Sequence, residues 1–96
     1  MKFKVLPRAV RDLANMHTYI AADDETAAEA VALRLHKALE LLTSRPEIGR
    51  PVPDTRIREW SVPGLPYLIP YRVRGDVVEI LRFFHTSRKR PARWIG

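Results

Sequence analysis

Apolar residues recur every three or four positions as far as Ser44, and from Arg56 onward they alternate one by one. Pro46 and the turn residues that follow it separate the two regimes. A helical period followed by a strand period cannot make one uniform secondary structure. The helical part has to bury its apolar stripe, and one face of the sheet is the available partner. The switch therefore restricts the chain to a two-layer α+β arrangement.

The elements follow from local chemistry. Lys2–Leu6 reads as a short strand, with Phe3 and Val5 on one face and Lys2 and Lys4 on the other. Pro7 ends it and suits the first turn of a helix. From Arg8 to about Ala22, Val10, Leu13, Met16, His17 and Ile20 form an apolar stripe, which sets Arg8, Arg11 and Asp12 toward water. Asp23-Asp24-Glu25 breaks the pattern; an aspartate there caps a new helix, and the acid after it favours the positive helix end. The second helix spans about Glu25 to Ser44, with Ala28, Val31, Leu35, Leu39 and Leu42 as its stripe. Pro46 stops it, and Glu47-Ile48-Gly49-Arg50-Pro51 is a turn. A short loop joins the two helices, so they form an antiparallel hairpin.

The remainder reads as three strands, Arg56–Val62, Tyr67–Val73 and Val77–Phe84, with turns at Pro63-Gly64 and Arg74-Gly75-Asp76. Gly75 is free to take positive φ in the second turn. Pro70 lies inside the middle strand and donates no ladder hydrogen bond, so a bulge or broken pairing is expected there. The order is β-α-α-β-β-β, with the helical hairpin on one face of a mainly antiparallel sheet. At 96 residues the chain is expected to be one domain, 1–96.

The sequence has no cysteine, which excludes disulfides and thiolate metal sites. Met1 to Leu6 lacks the apolar run of a signal peptide, and no stretch is long and apolar enough for a membrane span. A cytoplasmic protein without membrane contact is expected. His17 and His36 lack metal-ligand spacing, so neither a metal nor a cofactor is expected. Net charge is +6, and residues 1–44 are neutral, with six basic and six acidic side chains. The excess lies in residues 45–96, where 11 basic residues, ten of them arginine, face five acids. Arginine favours planar recognition of phosphate or carboxylate, so the expected partner is an anion. The arginines of the last strands and the tail are expected to gather into one positive surface.

Three further segments carry a resemblance. They are Leu42-Thr43-Ser44-Arg45-Pro46-Glu47-Ile48-Gly49-Arg50, then Tyr71-Arg72-Val73, then Val78-Glu79-Ile80-Leu81-Arg82-Phe83-Phe84-His85-Thr86-Ser87-Arg88. Their Pro-x-x-Gly-Arg turn, Tyr-Arg strand and Ile-Leu-Arg-x-x-His-x-x-Arg ending resemble, in order and spacing, the ParE/RelE toxins of type II toxin–antitoxin systems. The resemblance spans nearly the whole chain and implies the fold derived above. It implies one of two activities: RelE-type members cleave mRNA on the ribosome, whereas ParE-type members poison DNA gyrase on broken DNA. In either case an antitoxin wraps the toxin. The partners expected on this basis are an acidic, ParD-like antitoxin and gyrase or a gyrase–DNA complex, or alternatively the ribosome and its mRNA.

Metal-free RNA cleavage needs a base, an acid and cations around the reacting phosphate. The candidates are His85 for proton transfer and Arg72 and Arg82 beside it, with Arg88 as a further phosphate contact and Tyr67, Tyr71 or Trp94 to stack a base. Each has a plain structural reading too: His85 as a strand-end residue, Arg72 and Arg82 paired with Glu79 or Asp76, Arg50 as an anchor of its turn. RelE-type nucleases commonly carry a tyrosine near the C-terminus and a lysine-rich sheet. Here no tyrosine follows His85, and Lys89 is the lone lysine of the second half. The comparison favours the ParE reading, a non-enzymatic inhibitor, over the endoribonuclease. A nontoxic nucleic-acid-binding or scaffold protein on the same fold is the third reading. Target contacts are assigned to Arg72, Arg82, Arg88, Lys89, Arg90 and Arg93. Antitoxin contacts are assigned to Leu13, Ile20, Val31, Leu35 and Leu39, as an apolar groove beside the hairpin that takes an amphipathic helix.

Overall fold

The computed structural model describes residues 1–95. Its elements are β1 (Lys2–Val5), α1 (Pro7–Ala21), α2 (Glu25–Ser44), β2 (Arg50–Pro51), β3 (Ile57–Ser61), β4 (Tyr67–Arg74), β5 (Val77–Ile80) and β6 (Phe84–His85). The strands form one sheet in the order β1-β5-β4-β3-β2, and β6 joins β4 beyond the end of β5. Only the β1–β5 pair is parallel. The two helices lie on one face, so the expected α+β architecture holds, with β2 and β6 as two-residue additions.

Local signals act as the sequence implies. Pro7 occupies the start of α1. The Asp24 carboxylate accepts from the Ala27 N–H at 3.1 Å and caps α2, while Glu25 occupies its first turn. Gly75 takes φ 62°, which lets β4 reverse into β5 through two residues.

Pro70 breaks pairing on one side of β4 only. Towards β3 the register is continuous, Glu59 opposite Pro70 and Trp60 opposite Ile69. On the other side the Pro70 carbonyl accepts from Leu81, but the ring offers no N–H in return. Here the third strand departs from the expected span Val77–Phe84. It stops at Ile80, and Leu81–Phe83 detour before Phe84 rejoins opposite Leu68. The detour shifts the pleat by one residue. Ile80 and Phe83 both enter the helix-side core, and Leu81 and Phe84 both face the opposite side.

The larger core joins Leu35, Leu39 and Leu42 of α2 and Ala9 of α1 to Ile69, Tyr71, Val78 and Ile80 of the sheet. On the sheet's outer face Leu81, Phe84 and Trp94 form a second cluster beneath the C-terminal segment. Three assignments on α1 change, and one is that His17 of the expected stripe is exposed. Val10 is 52% exposed, and Ala9 is buried in its place. Asp12 points inward rather than to water, for the reason given below.

Candidate functional site

The family-like motifs prove to be clamps. The Tyr71 hydroxyl donates to the Pro46 carbonyl at 2.6 Å and accepts from the Gly49 N–H at 2.9 Å. Gly49 has to be glycine, because a Cβ there would lie 2.5 Å from that hydroxyl oxygen. The Pro-x-x-Gly turn and the Tyr-Arg strand are thus one unit. Arg58 completes it by donating to the carbonyls of Gly49 (2.8 Å) and Glu47 (3.2 Å). The anchor is therefore Arg58; Arg50, with a side chain 82% exposed, reaches Glu59 only at 3.7 Å. Burial pushes the Tyr71 hydroxyl's pKa above its ordinary value.

Several arginines of the last strands and the tail are held by acids. Arg72 pairs with Glu79 at 2.7 Å, and Arg74 lies 3.9 Å from the same acid. Arg82 donates two bonds to Asp12 on α1, Nε to Oδ2 at 2.6 Å and a terminal nitrogen to Oδ1 at 3.1 Å; the Phe83 N–H adds a third at 3.0 Å. The hydrogen bond that Arg82 donates to Asp12 holds the Arg82 pKa above its ordinary value. This strut turns Asp12 inward and fixes the detour after β5. Arg90 pairs with Glu59 on the outer face, where Trp94 Nε1 also donates to that carboxylate at 2.6 Å. Glu59 is 4% exposed, so the C-terminal segment is pinned across the sheet by a buried acid. Acids thus partner five basic side chains of the second half, Arg50 and Arg90 at Glu59, Arg72 and Arg74 at Glu79, and Arg82 at Asp12.

His85 lies apart from Arg72 and Arg82. It stands on β6 at the mouth of a cleft of about 450 Å³, whose walls include Asp12, Asn15 and Tyr19 of α1, Tyr67 of β4, and Ser87 and Arg88. Neither Arg72 nor Arg82 lines it. The Ser87 backbone N–H donates to His85 Nδ1 at 3.1 Å, and the Ser87 hydroxyl lies 2.7 Å from the same atom. A backbone N–H can only donate, so Nδ1 carries the lone pair and Nε2 the proton. The neutral imidazole is therefore a donor at its remaining nitrogen. The expected base-stacking aromatics are committed too. Tyr71 is fully buried, Trp94 is buried against Phe84, and Tyr67 meets the His85 ring edge-on at 5.3 Å. Burial also raises the Tyr67 hydroxyl's pKa.

A second concavity of about 410 Å³ runs between α1, α2 and β1. It is almost wholly apolar, and Leu13, Ile20, Val31, Leu35 and Leu39 all line it. Leu35 and Leu39 form its buried floor, whereas Leu13, Ile20 and Val31 are half-buried at its walls. Met16 and Phe83 line both concavities, so the groove and the His85 cleft are neighbours across those two side chains. No signal in the sequence marks this adjacency, since it depends on the one-residue shift at Leu81–Phe83.

Among the described residues no helix is long and apolar enough to cross a membrane. Comparison with known proteins places the chain. Toxin RelE2 of Caulobacter vibrioides is 38% identical to it over 84% of this chain and 90% of its own length. The protein Y4kP of Sinorhizobium fredii is 39% identical over 88% of this chain and 86% of its own. A chain of the chromosomal ParDE TA system from P. aeruginosa shares the fold, with a TM-score of 0.76 over 88% of this chain and 95% of that one, at 23% identity. Residues 3–90 match the family model of the ParE toxin of type II toxin–antitoxin systems, parDE. The chain belongs to that family of toxins.

Proposed function

We propose that this toxin inhibits growth by binding DNA gyrase or a gyrase–DNA complex rather than by cutting RNA, and that an acidic ParD-like antitoxin silences it in the cytoplasm. The state of His85 carries the reading. RNA cleavage without a metal needs a nitrogen lone pair aimed at the 2′-hydroxyl and free cations at the phosphate. The Ser87 N–H occupies the lone pair of His85. Asp12 and Glu79 hold the two arginines expected beside it. The lone pair of the candidate base and two of the three candidate arginines are therefore committed within the fold.

Of the side chains assigned to an anionic target, Arg88, Lys89 and Arg93 are exposed on the segment after β6. Arg90 lies on the same segment but is tied to Glu59. Arg72 and Arg82 act on the target indirectly, as struts for the sheet and for the detour. The antitoxin's amphipathic helix takes the apolar groove, where Leu13, Ile20 and Val31 meet it over the floor of Leu35 and Leu39.

Tightly controlled expression, with DNA breaks and mRNA ends scored side by side, tests the target. The expected result is growth arrest with gyrase-dependent breaks and intact mRNA. Codon-positioned mRNA cuts that vanish in His85→Ala would establish the RelE-type activity instead. Unimpaired growth without any antitoxin would favour the nontoxic scaffold.

A further inference from the structure

We infer that the cleft at His85 is the seat of an acidic side chain from the antitoxin, set beside the helix that fills the groove, so that neutralisation works by capturing Arg88. The inference rests on the proposed toxin–antitoxin reading and adds to it a second contact of different chemistry. Three observations converge on it.

The first is the donor set. Asp12 is the acid of the cleft, and its oxygens are already taken by Arg82 and the Phe83 N–H. Its charge is therefore answered within the fold. Arg88 has no carboxylate within 4.0 Å among the described residues and is exposed at the cleft. His85 presents Nε2–H, because Ser87 fixes its other nitrogen as the acceptor. A guanidinium and an imidazole N–H in one cleft suit a carboxylate, which accepts from both.

The second is adjacency. The wall shared with the groove is Met16 and Phe83. A peptide that lays apolar side chains along Leu13 and Ile20 has to cross only these two residues to bring an acid to Arg88. Nucleic acid fits this cleft less well, since the wall beside it is apolar and offers a phosphate backbone nothing to bind. The third is the charge of the whole chain, +6, which favours an acidic partner.

Capture of Arg88 also gives neutralisation a physical form. The antitoxin carboxylate and the anionic target compete for one guanidinium, so bound antitoxin excludes the target without altering the fold.

The test uses the full chain and the antitoxin identified by its ability to restore growth, with binding followed by titration calorimetry. Arg88 contributes only a backbone N–H to the surrounding fold, to the His85 carbonyl, which alanine keeps. Arg88→Ala is expected to weaken binding by about ten-fold or more, the loss of one charge-assisted contact. One Glu→Gln or Asp→Asn substitution in the antitoxin should reproduce the loss and add nothing to it in the double variant. In the wild-type complex the His85 Nε2 proton should become protected from solvent exchange by NMR. Ile20→Glu, in the groove, is the control and should abolish binding. Should Arg88→Ala bind like the wild type while Ile20→Glu does not bind, the acidic anchor is wrong and the groove reading stands. Should both bind normally, the groove reading itself fails. If Arg88→Ala keeps its antitoxin affinity but no longer binds a 20-nucleotide single-stranded RNA, the cleft serves nucleic acid and the anchor is again overturned.

Discussion

Glu59→Gln should loosen the C-terminal segment and destabilise the fold by an amount that the structure lets one work out. The substitution keeps the shape of the side chain and one acceptor oxygen, but removes the charge. Trp94 Nε1 now donates to a carboxylate at 2.6 Å. A bond to a charged acceptor contributes roughly 1.5–3 kcal/mol and one to a neutral acceptor about half as much, so this contact loses about 1 kcal/mol. Arg90 also loses its partner, but its side chain is 47% exposed and returns to water. An exposed pair of that kind contributes at most about 1 kcal/mol. The sum is roughly 1–2 kcal/mol, which for a chain of this size lowers the melting temperature by about 5–12 °C.

Stability alone does not identify the cause, so the second reading is proteolysis. Arg88, Lys89 and Arg93 are sites for trypsin, whereas the Arg90–Pro91 bond resists it, and Trp94 and Arg90 dock the segment that carries them. In Glu59→Gln this segment should be cut several-fold faster, before the rest of the chain. Glu79→Gln is the control: it breaks the pair with Arg72 on the same protein and should leave cleavage of the segment unchanged. A Glu59→Gln protein that melts within a degree of the wild type, or is cut there no faster, would refute the claim that a buried carboxylate pins the C-terminal segment.

Three further outcomes are expected. Gly49→Ala should cost about 2 kcal/mol in urea unfolding, because the added methyl meets the Tyr71 hydroxyl and the ring carbon beside it, 2.6 Å away; in a Tyr71→Phe background most of that cost should remain, since the ring stays. Tyr71→Phe by itself should cost about 1–3 kcal/mol at neutral pH, since the Gly49 N–H and the Pro46 carbonyl lose their partner. The same variant should fall less steeply in alkali: the folded phenol holds its proton above the ordinary 10.0, so the unfolded chain deprotonates first and wild-type stability drops as pH rises past that value. Asp12→Ala should cost about 3 kcal/mol by stranding the largely buried Arg82, and amide exchange should accelerate first at Leu81–Phe83.

What could be read from the sequence divides by the range of the interaction behind each feature. The Asp24 cap, Pro7 at the start of α1 and the Gly75 turn depend on neighbours within four residues, and each holds. Pro70 was legible as a break because a missing N–H is a property of the residue itself. Which side of β4 it would open, and that β5 would stop at Ile80, depended on Arg82 reaching an acid 70 residues earlier. Glu59 was illegible for the same reason: its partners Arg90 and Trp94 stand 31 and 35 residues away, and a count of net charge treats those arginines as free. Which arginines stay free could not be read from the sequence, because each acid could be tallied but not placed.

The same distinction bears on what the family motifs can report. Tyr71, Gly49 and Arg82 are among the residues that make the chain resemble a ParE/RelE toxin, and each is spent on holding the backbone. Residues occupied in that way specify the fold, and a fold shared by gyrase poisons and ribosomal nucleases cannot choose between them. The choice has to lie in side chains the fold does not consume. In this molecule those include Arg88, Lys89 and Arg93 beyond β6 and the donor face of His85 in the cleft. Exchanging that short segment, with the clamps left intact, should therefore change the target without changing the fold. Exchanging the clamps should do the reverse, damaging stability while leaving the identity of the target untouched.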